Sequence, residues 1–409
     1  MNLRWGFLGL SAAPLWYGLN TPPARPIATD PIGELIQRLD QGEVTLNFHP
    51  KRGYLDSLLK ELNINPNSQV LVFSKTSLQL DYINRKTPRA LYFNDRNYVG
   101  WIPGAPLIEI MTIHPEKGIL FYTIRNQQLT KPRFDPNPGQ CFQCHGRRNE
   151  YQTPLLIAQS SFVAPSGYPQ IFARTVSATP DVPMEDRWGG WYVSGTHGKA
   201  RHRGNEVAIG EGESFKHDFE KGANVTDLNG YFDTSGYITP HSDIAALLVV
   251  EQQMDIQNTL TSTSNQVRQI QALQKNGQLT AEAQKELATQ CEYLVAALLG
   301  DGEAKLSAAV KGTSTFAETY SQSSPASKDG RRLSELDLKT RVHKYGCSPL
   351  IYSNEFKAMP QIAQTQVLRR IAEVVKGEKD YRHLKRADRT AIREILTDTL
   401  PEFAAIAKN

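Results

Sequence analysis

Two cysteines and one histidine fall within five consecutive residues, the run Cys-Phe-Gln-Cys-His at 141–145. Two thiols three residues apart lie on one side of a helical turn, and the adjoining imidazole can reach the same ligand. The spacing C-x-x-C-H is the pattern that attaches a c-type haem: the thiols add to two vinyl groups of one porphyrin and the imidazole binds its iron. The run predicts one covalent haem c held by Cys141, Cys144 and His145.

Three other interpretations of this run stay open. A redox-active dithiol normally follows a strand of a βαβ unit, whereas this run follows the turn-rich stretch 135–139. A zinc site requires a second Cys or His pair at matching spacing, and Cys291 and Cys347 stand alone in the sequence. A disulfide between the two motif cysteines would close a small, strained loop. The flanking residues favour haem attachment.

The iron of such a haem has a second axial position, for which nitrogen and thioether side chains are the usual ligands. The segment 184–202 is the densest source of candidates, because His197 and His202 lie among glycines that leave room for a flat cofactor. Met184 and Met254 are the thioether alternatives, and an open position is a further one. The sequence does not rank these candidates.

The same segment offers residues that suit the rest of a haem. Trp188 and Trp191 provide flat apolar walls, and Arg187 could form a charged hydrogen bond with a propionate. The alternative is that the Trp-Gly-Gly-Trp stretch is a turn packed on a sheet, with no part in binding. We predict Arg187, Trp188 and Trp191 as cofactor-binding residues.

Composition limits the class of protein. The chain has 409 residues and a net charge of +4 with no basic block, so no nucleic-acid partner is expected. The first 20 residues place Arg4 before a short apolar run, which predicts a signal peptide or anchor at 1–20. We therefore expect a periplasmic or otherwise exported protein, with membrane association only through its N-terminus.

The hydrophobic periodicity changes along the chain. Short runs rich in β-branched and aromatic residues predict a strand meander at 69–124, and a helical period begins near Ser242, the predicted N-cap. The expected fold is α+β. A β-rich domain at 30–240 would carry the haem, and a mainly helical domain would follow at 241–409. Within the latter, Cys291 and Cys347 form either two buried thiols or a disulfide.

Several stretches of the chain resemble a family of exported bacterial proteins that carry a single-haem cytochrome c domain. The stretches are 75–77, 87–95, 139–145, 187–198, 336–341 and 347–353. The resemblance covers most of the chain and implies a periplasmic haem c protein. It supplies no activity.

Three functions are compatible with these features. The first is electron transfer between the haem and a redox partner protein. The second is a haem enzyme or sensor with an open iron, acting on a small ligand such as peroxide or nitric oxide. The third is a binding protein with a structural haem.

Overall fold

A large antiparallel sheet dominates the N-terminal part of the chain. The computed structural model describes residues 30–136, 138–146, 153–170, 172–210, 214–274, 278–377 and 380–407, so the predicted signal segment 1–20 lies outside the described residues. The strands are β1 (Val70–Val72), β2 (Arg89–Phe93), β3 (Asn97–Trp101), β4 (Leu107–His114), β5 (Gly118–Arg125), β6 (Phe134–Pro136), β7 (Gln159–Ser160), β8 (Val176–Ser177), β9 (Trp191–Tyr192), β10 (Gly195–Thr196) and β11 (Lys311–Gly312). Seven of them form one sheet in the order β6-β5-β4-β3-β2-β1-β9.

The helices flank this sheet and make up most of the C-terminal part. They are α1 (Pro31–Asp40), α2 (Leu55–Glu61), α3 (Cys141–His145), α4 (Ile244–Ala272), α5 (Ala281–Leu298), α6 (Phe316–Tyr320), α7 (Asn354–Lys357), α8 (Gln361–Lys376), α9 (Arg386–Thr399) and α10 (Pro401–Ala407). The predicted α+β class is confirmed. None of the helices among the described residues is long and apolar enough to cross a membrane.

The two faces of the sheet pack against different partners. Side chains alternate between faces along a strand, so Ile108 and Ile110 of β4 point to one side and Ile113 to the other. The first face packs on α1 and α2, through residues such as Leu35 and Leu58. The second face packs on the start of α4 and on the loops between β7 and β10.

Helix α4 connects the β-rich and helical parts. Its N-cap is Asp243, whose carboxylate accepts hydrogen bonds from the backbone amides of Ala245 and Ala246, so the prediction of Ser242 as the cap was wrong. Ser242 instead accepts a hydrogen bond from the amide of Leu71 on β1. The first turns of α4 are buried against the sheet, and its later turns pack on α5, which in turn packs on α8. Helix α4 begins at Ile244, close to the predicted division at 240, and the two-domain division itself stays a prediction.

Candidate cofactor site

Helix α3 is a single exposed turn. It begins after a tight turn in which the amide of Cys141 donates to the Pro138 carbonyl at 3.0 Å, and it ends at Gly146. A Cβ atom at Gly146 would lie 2.6 Å from the Phe142 carbonyl oxygen, so the end of the helix requires glycine. Cys141 is half-buried and Cys144 is exposed. The two thiols therefore project from one turn, one toward the protein and one toward solvent.

Among the described residues, the imidazole of His145 forms a hydrogen bond through one ring nitrogen. Nδ1 lies 2.7 Å from the carbonyl oxygen of Leu155. Since a carbonyl can only accept, Nδ1 carries the proton and Nε2 keeps its lone pair. Burial, together with the nearby Arg89 guanidinium, lowers the pKa of His145, which favours the neutral ring. A neutral imidazole with one nitrogen anchored to a carbonyl is the form in which histidine binds a metal.

The anchor of His145 is itself tied to α4. The backbone amide of Leu155 donates to the His145 carbonyl at 3.0 Å, so the segment that contains Leu155 and Leu156 runs beside α3. The side chain of Asn258 accepts from the amide of Leu156 at 2.8 Å and donates to its carbonyl at 2.9 Å. Asn258 thus fixes the segment that orients the imidazole. No motif in the sequence points to Asn258.

The sheet beside α3 is incompletely covered. In β2 and β4 the residues on the first face are buried, as with Tyr92 and Ile110, whereas Leu91 and Met111 on the second face remain partly exposed. Gly100 lies between these strands, paired with Leu91 and with Glu109. We call the following second-face residues of β2, β3 and β4 the sheet floor: Arg89, Leu91, Gly100, Glu109 and Met111.

The sheet leaves little room for a side chain at Gly100. A Cβ atom at Gly100 would lie 3.3 Å from a Leu91 methyl carbon and 3.7 Å from the Glu109 Cβ. Leu91, Met111 and Cys141 all pack at the edge of one apolar cluster. The floor therefore adjoins the inward-facing thiol, and its partly exposed apolar surface comes from Leu91 and Met111.

Two charges on the floor act on α3. Arg89 Nη1 and Glu109 Oε2 are 3.4 Å apart, and Ser77 donates a hydrogen bond of 2.8 Å to Glu109. Burial, with a further contribution from Glu109, raises the pKa of the Cys141 thiol to about 11. Reactive dithiols need a lowered thiol pKa, so this environment disfavours thiol–disulfide chemistry at neutral pH.

The predicted cofactor-binding arginine is committed elsewhere. Arg187 is buried, with Nη1 3.0 Å from Glu251 Oε2, Nε donating to the Val182 carbonyl at 2.7 Å and Nη2 to the Pro180 carbonyl at 2.7 Å. Burial raises the pKa of Glu251 to about 7 in spite of this ion pair. These bonds leave Arg187 little capacity to pair with a propionate.

The two predicted tryptophans lie inside the apolar cluster whose edge includes Cys141. Trp188 is fully buried with a left-handed φ of 64°, and its ring packs on that of His202. Trp191 donates a hydrogen bond of 2.7 Å to the Gln159 carbonyl. Both tryptophans are part of the apolar core on the second face of the sheet. This position agrees with the alternative interpretation, in which the Trp-Gly-Gly-Trp stretch is a turn packed on the sheet.

His197 and His202 are brought together, with ring centroids 4.8 Å apart, and both are fully buried. His197 Nδ1 donates to the Ala200 carbonyl at 2.9 Å, and its Nε2 accepts from the Asn224 amide at 3.0 Å. No lone pair of that ring is left for a metal. This geometry argues against His197 as the axial ligand and assigns it to the loop's own structure.

His202 uses its ring in a different way. Nδ1 accepts from the Gly204 amide at 3.0 Å, so Nε2 carries the proton, and within the described residues this buried atom has no hydrogen-bond partner. Burial, assisted by the charge of His197 and of neighbouring cations, lowers the pKa of His202 to about 3. The ring is neutral at pH 7 and presents a proton rather than a lone pair.

The other sulfur candidates are buried. Met184 and Met254 are part of the cluster behind the sheet floor. Cys291 and Cys347 are separate thiols in the helical core, where burial raises the pKa of each to about 12. No disulfide joins Cys291 and Cys347, so the alternative of two buried thiols is the one observed.

Among the described residues, no group of three or more His, Cys, Asp or Glu side chains is arranged to hold a metal ion. Comparison with protein-family models, with curated proteins and with solved structures finds no match. The resemblance to exported single-haem proteins therefore stays a prediction, carried by the residues quoted above.

Proposed function

We propose that this chain is an exported c-type haem protein that transfers single electrons through one haem bound to Cys141 and Cys144, with His145 on the iron. The observation that carries the proposal is the bond from His145 Nδ1 to the Leu155 carbonyl at 2.7 Å. It orients the ring and leaves Nε2 available, which is the arrangement of a metal-binding histidine.

The environment of the two thiols supports the same proposal. Each thiol would add across one vinyl group, with sulfur bonding one carbon and hydrogen the other, so no external oxidant is required. Cys141 lies against the sheet floor and Cys144 at the surface. A haem held by both would span the boundary between the apolar floor and solvent. The raised pKa of Cys141 makes the competing dithiol function less favourable.

The exposure of α3 favours electron transfer over the other haem functions. Phe142 is 39% exposed, although its ring also packs on Phe121 with centroids 5.2 Å apart. A haem bonded to this surface turn would supply one-electron redox chemistry within reach of a second protein. We propose a redox partner protein that docks over α3, in the periplasm, where haem attachment takes place.

The test is expression in a host that attaches haem to exported proteins. We expect one covalent haem per chain, retained after denaturation and acid extraction, and sharp reduced bands typical of haem c. The variant with both Cys141→Ser and Cys144→Ser should lose all covalent haem. As the matched control, Cys291→Ala with Cys347→Ala should retain it, because those thiols lie in the helical core.

The absence of covalent haem in the wild-type protein would overturn the proposal. A haem that binds carbon monoxide at once in its reduced state would favour an enzyme or sensor with an open iron. Electron transfer to a small soluble acceptor, measured by stopped flow, separates the carrier from a purely structural haem.

A further inference from the structure

A methionine of the sheet floor lies among the residues that contact α3. Met111 is the direct cross-strand neighbour of Phe121 on β5. The ring of Phe121 packs on the imidazole of His145, with centroids 5.3 Å apart, and on Phe142. One residue therefore separates Met111 from the proposed iron-binding ring.

A neighbour of Met111 on its own strand also interacts with residues of α3. Glu109, two residues earlier on the same face, acts electrostatically on both Cys141 and His145. Met111 and Cys141 also pack at the edge of one apolar cluster. Met111 is thus bracketed along its strand by Glu109 and across the sheet by Phe121, and both of these neighbours interact with α3.

Exposure separates Met111 from the other sulfur candidates. Met184, Met254 and Met359 are 7%, 8% and 3% exposed, so their sulfur atoms are enclosed by packed side chains. Met111 is only partly buried, on the uncovered part of the sheet. Its flexible side chain can turn toward a ligand on the floor without opening the core.

We propose that Met111 is the sixth ligand of the iron, opposite His145. The assignment rests on the proposed function and answers a question that the sequence left open. A thioether is a favourable axial ligand for haem iron and raises its potential relative to a second imidazole. The two ligands come from α3 and β4, which the Phe121 side chain connects.

The experiment compares optical spectra of the haem-loaded proteins. The wild type should be low-spin in both oxidation states, with the weak long-wavelength ferric band of a thioether ligand and no change on adding carbon monoxide. Met111→Leu conserves volume and removes the ligand. It should lose that band and shift its reduced spectrum with carbon monoxide. Met184→Leu is the matched control and should behave as the wild type.

A second substitution guards against a nonspecific effect of the first. Met111→His should restore a low-spin spectrum without the thioether band, and its potential should be lower than that of the wild type. Retention of the wild-type spectrum by Met111→Leu would overturn the assignment. A high-spin wild-type protein would overturn it as well, yet would leave haem attachment intact. Absence of haem would instead refute the proposed function.

Discussion

His145 on α3 and His197 in the loop after β10 both lie beside aromatic rings, and they differ in how their nitrogens are used. His145 donates from Nδ1 to the Leu155 carbonyl and keeps the Nε2 lone pair. His197 donates from Nδ1 to Ala200 and accepts at Nε2 from the Asn224 amide. His145 therefore has a ring nitrogen available to bind a metal, whereas both ring nitrogens of His197 are used in hydrogen bonds that stabilise its loop.

The surroundings of the two rings follow the same division. His145 is on a surface turn beside a half-exposed sheet floor, whereas His197 is fully buried. A metal ligand must be reachable and must keep a free lone pair, whereas both ring nitrogens of His197 are hydrogen-bonded to backbone groups. The count of free ring nitrogens, combined with exposure, separates a candidate metal ligand from a structural residue. The neighbouring glycines, which made both His197 and His202 candidates in the sequence, do not separate the two cases.

The largest effect should come from replacing each histidine by alanine. His145→Ala should abolish the low-spin iron spectrum while covalent haem is retained through the cysteines. His197→Ala should leave the spectrum unchanged and lower the free energy of unfolding by about 2–4 kcal/mol, because it leaves a cavity and two unsatisfied backbone groups. Optical spectra and urea titrations of the same two proteins measure both quantities.

A changed iron spectrum in folded His197→Ala would break the comparison, since it would make the buried ring a ligand in spite of its two hydrogen bonds. The converse result, a normal spectrum for His145→Ala, would remove the central residue of the proposed site.

Replacing Asn258 tests whether the segment at Leu155 and Leu156 holds His145 in its orientation. Asn258→Ala removes both hydrogen bonds to Leu156 and should cost about 1–3 kcal/mol of stability. Amide exchange at Leu156 should accelerate as its partner is lost. Asn265→Ala, on the same helix, is the control; its side chain bonds only the surface residue Arg268 among the contacts described, and the change should cost less than about 0.5 kcal/mol. Equal effects of the two substitutions would contradict the role given to Asn258.

Much of the fold could be predicted because the signals are local. The alternating strands from β1 to β5 and the apolar start of α4 are enough to predict the α+β class. The cap of α4 was misassigned because Ser242 and Asp243 are both good capping residues in sequence. Only the structure shows that Ser242 bonds to Leu71, on a strand 171 residues earlier in the chain.

The site was predictable only in its contiguous part. Cys141, Cys144 and His145 lie within one five-residue helix, and their spacing alone makes them candidates. The sheet floor comes from β2, β3 and β4, and the register of β4 with β5 places Met111 beside Phe121. No short sequence pattern encodes these registers. Asn258 reaches Leu156 across 102 residues, so its role is equally invisible in the sequence.

The pH dependence of stability tests the buried loop histidines. The folded-state pKa of His202 is lowered to about 3, so between pH 6.5 and 3 the unfolded chain binds a proton that the folded chain does not. Stability is therefore lost as the pH falls through this window, by up to about 1.4 kcal/mol per pH unit for one group. His202→Asn should reduce this slope by about that amount, measured by urea unfolding from pH 7 to pH 5.

Some slope should persist in His202→Asn, because burial also lowers the pKa of His343 to about 3. An unchanged slope would mean that His202 is already protonated in the folded protein, and that its Nε2 environment is more polar than the structure indicates.

The smallest effect concerns the charges beside each ring. Arg89 acts on His145 as Arg201 acts on His197, each cation disfavouring a positive imidazole. A cation near the iron destabilises its oxidised form, so Arg89→Gln should lower the reduction potential, and Glu109→Gln should raise it. We expect shifts of roughly 20–60 mV, about one tenfold step or less for a one-electron couple. Arg201→Gln is the matched control, because its cation lies beside the loop histidine and bonds Glu220 at the surface. Redox titration should leave its potential unchanged, and a shift equal to that of Arg89→Gln would place the iron as close to His197 as to His145.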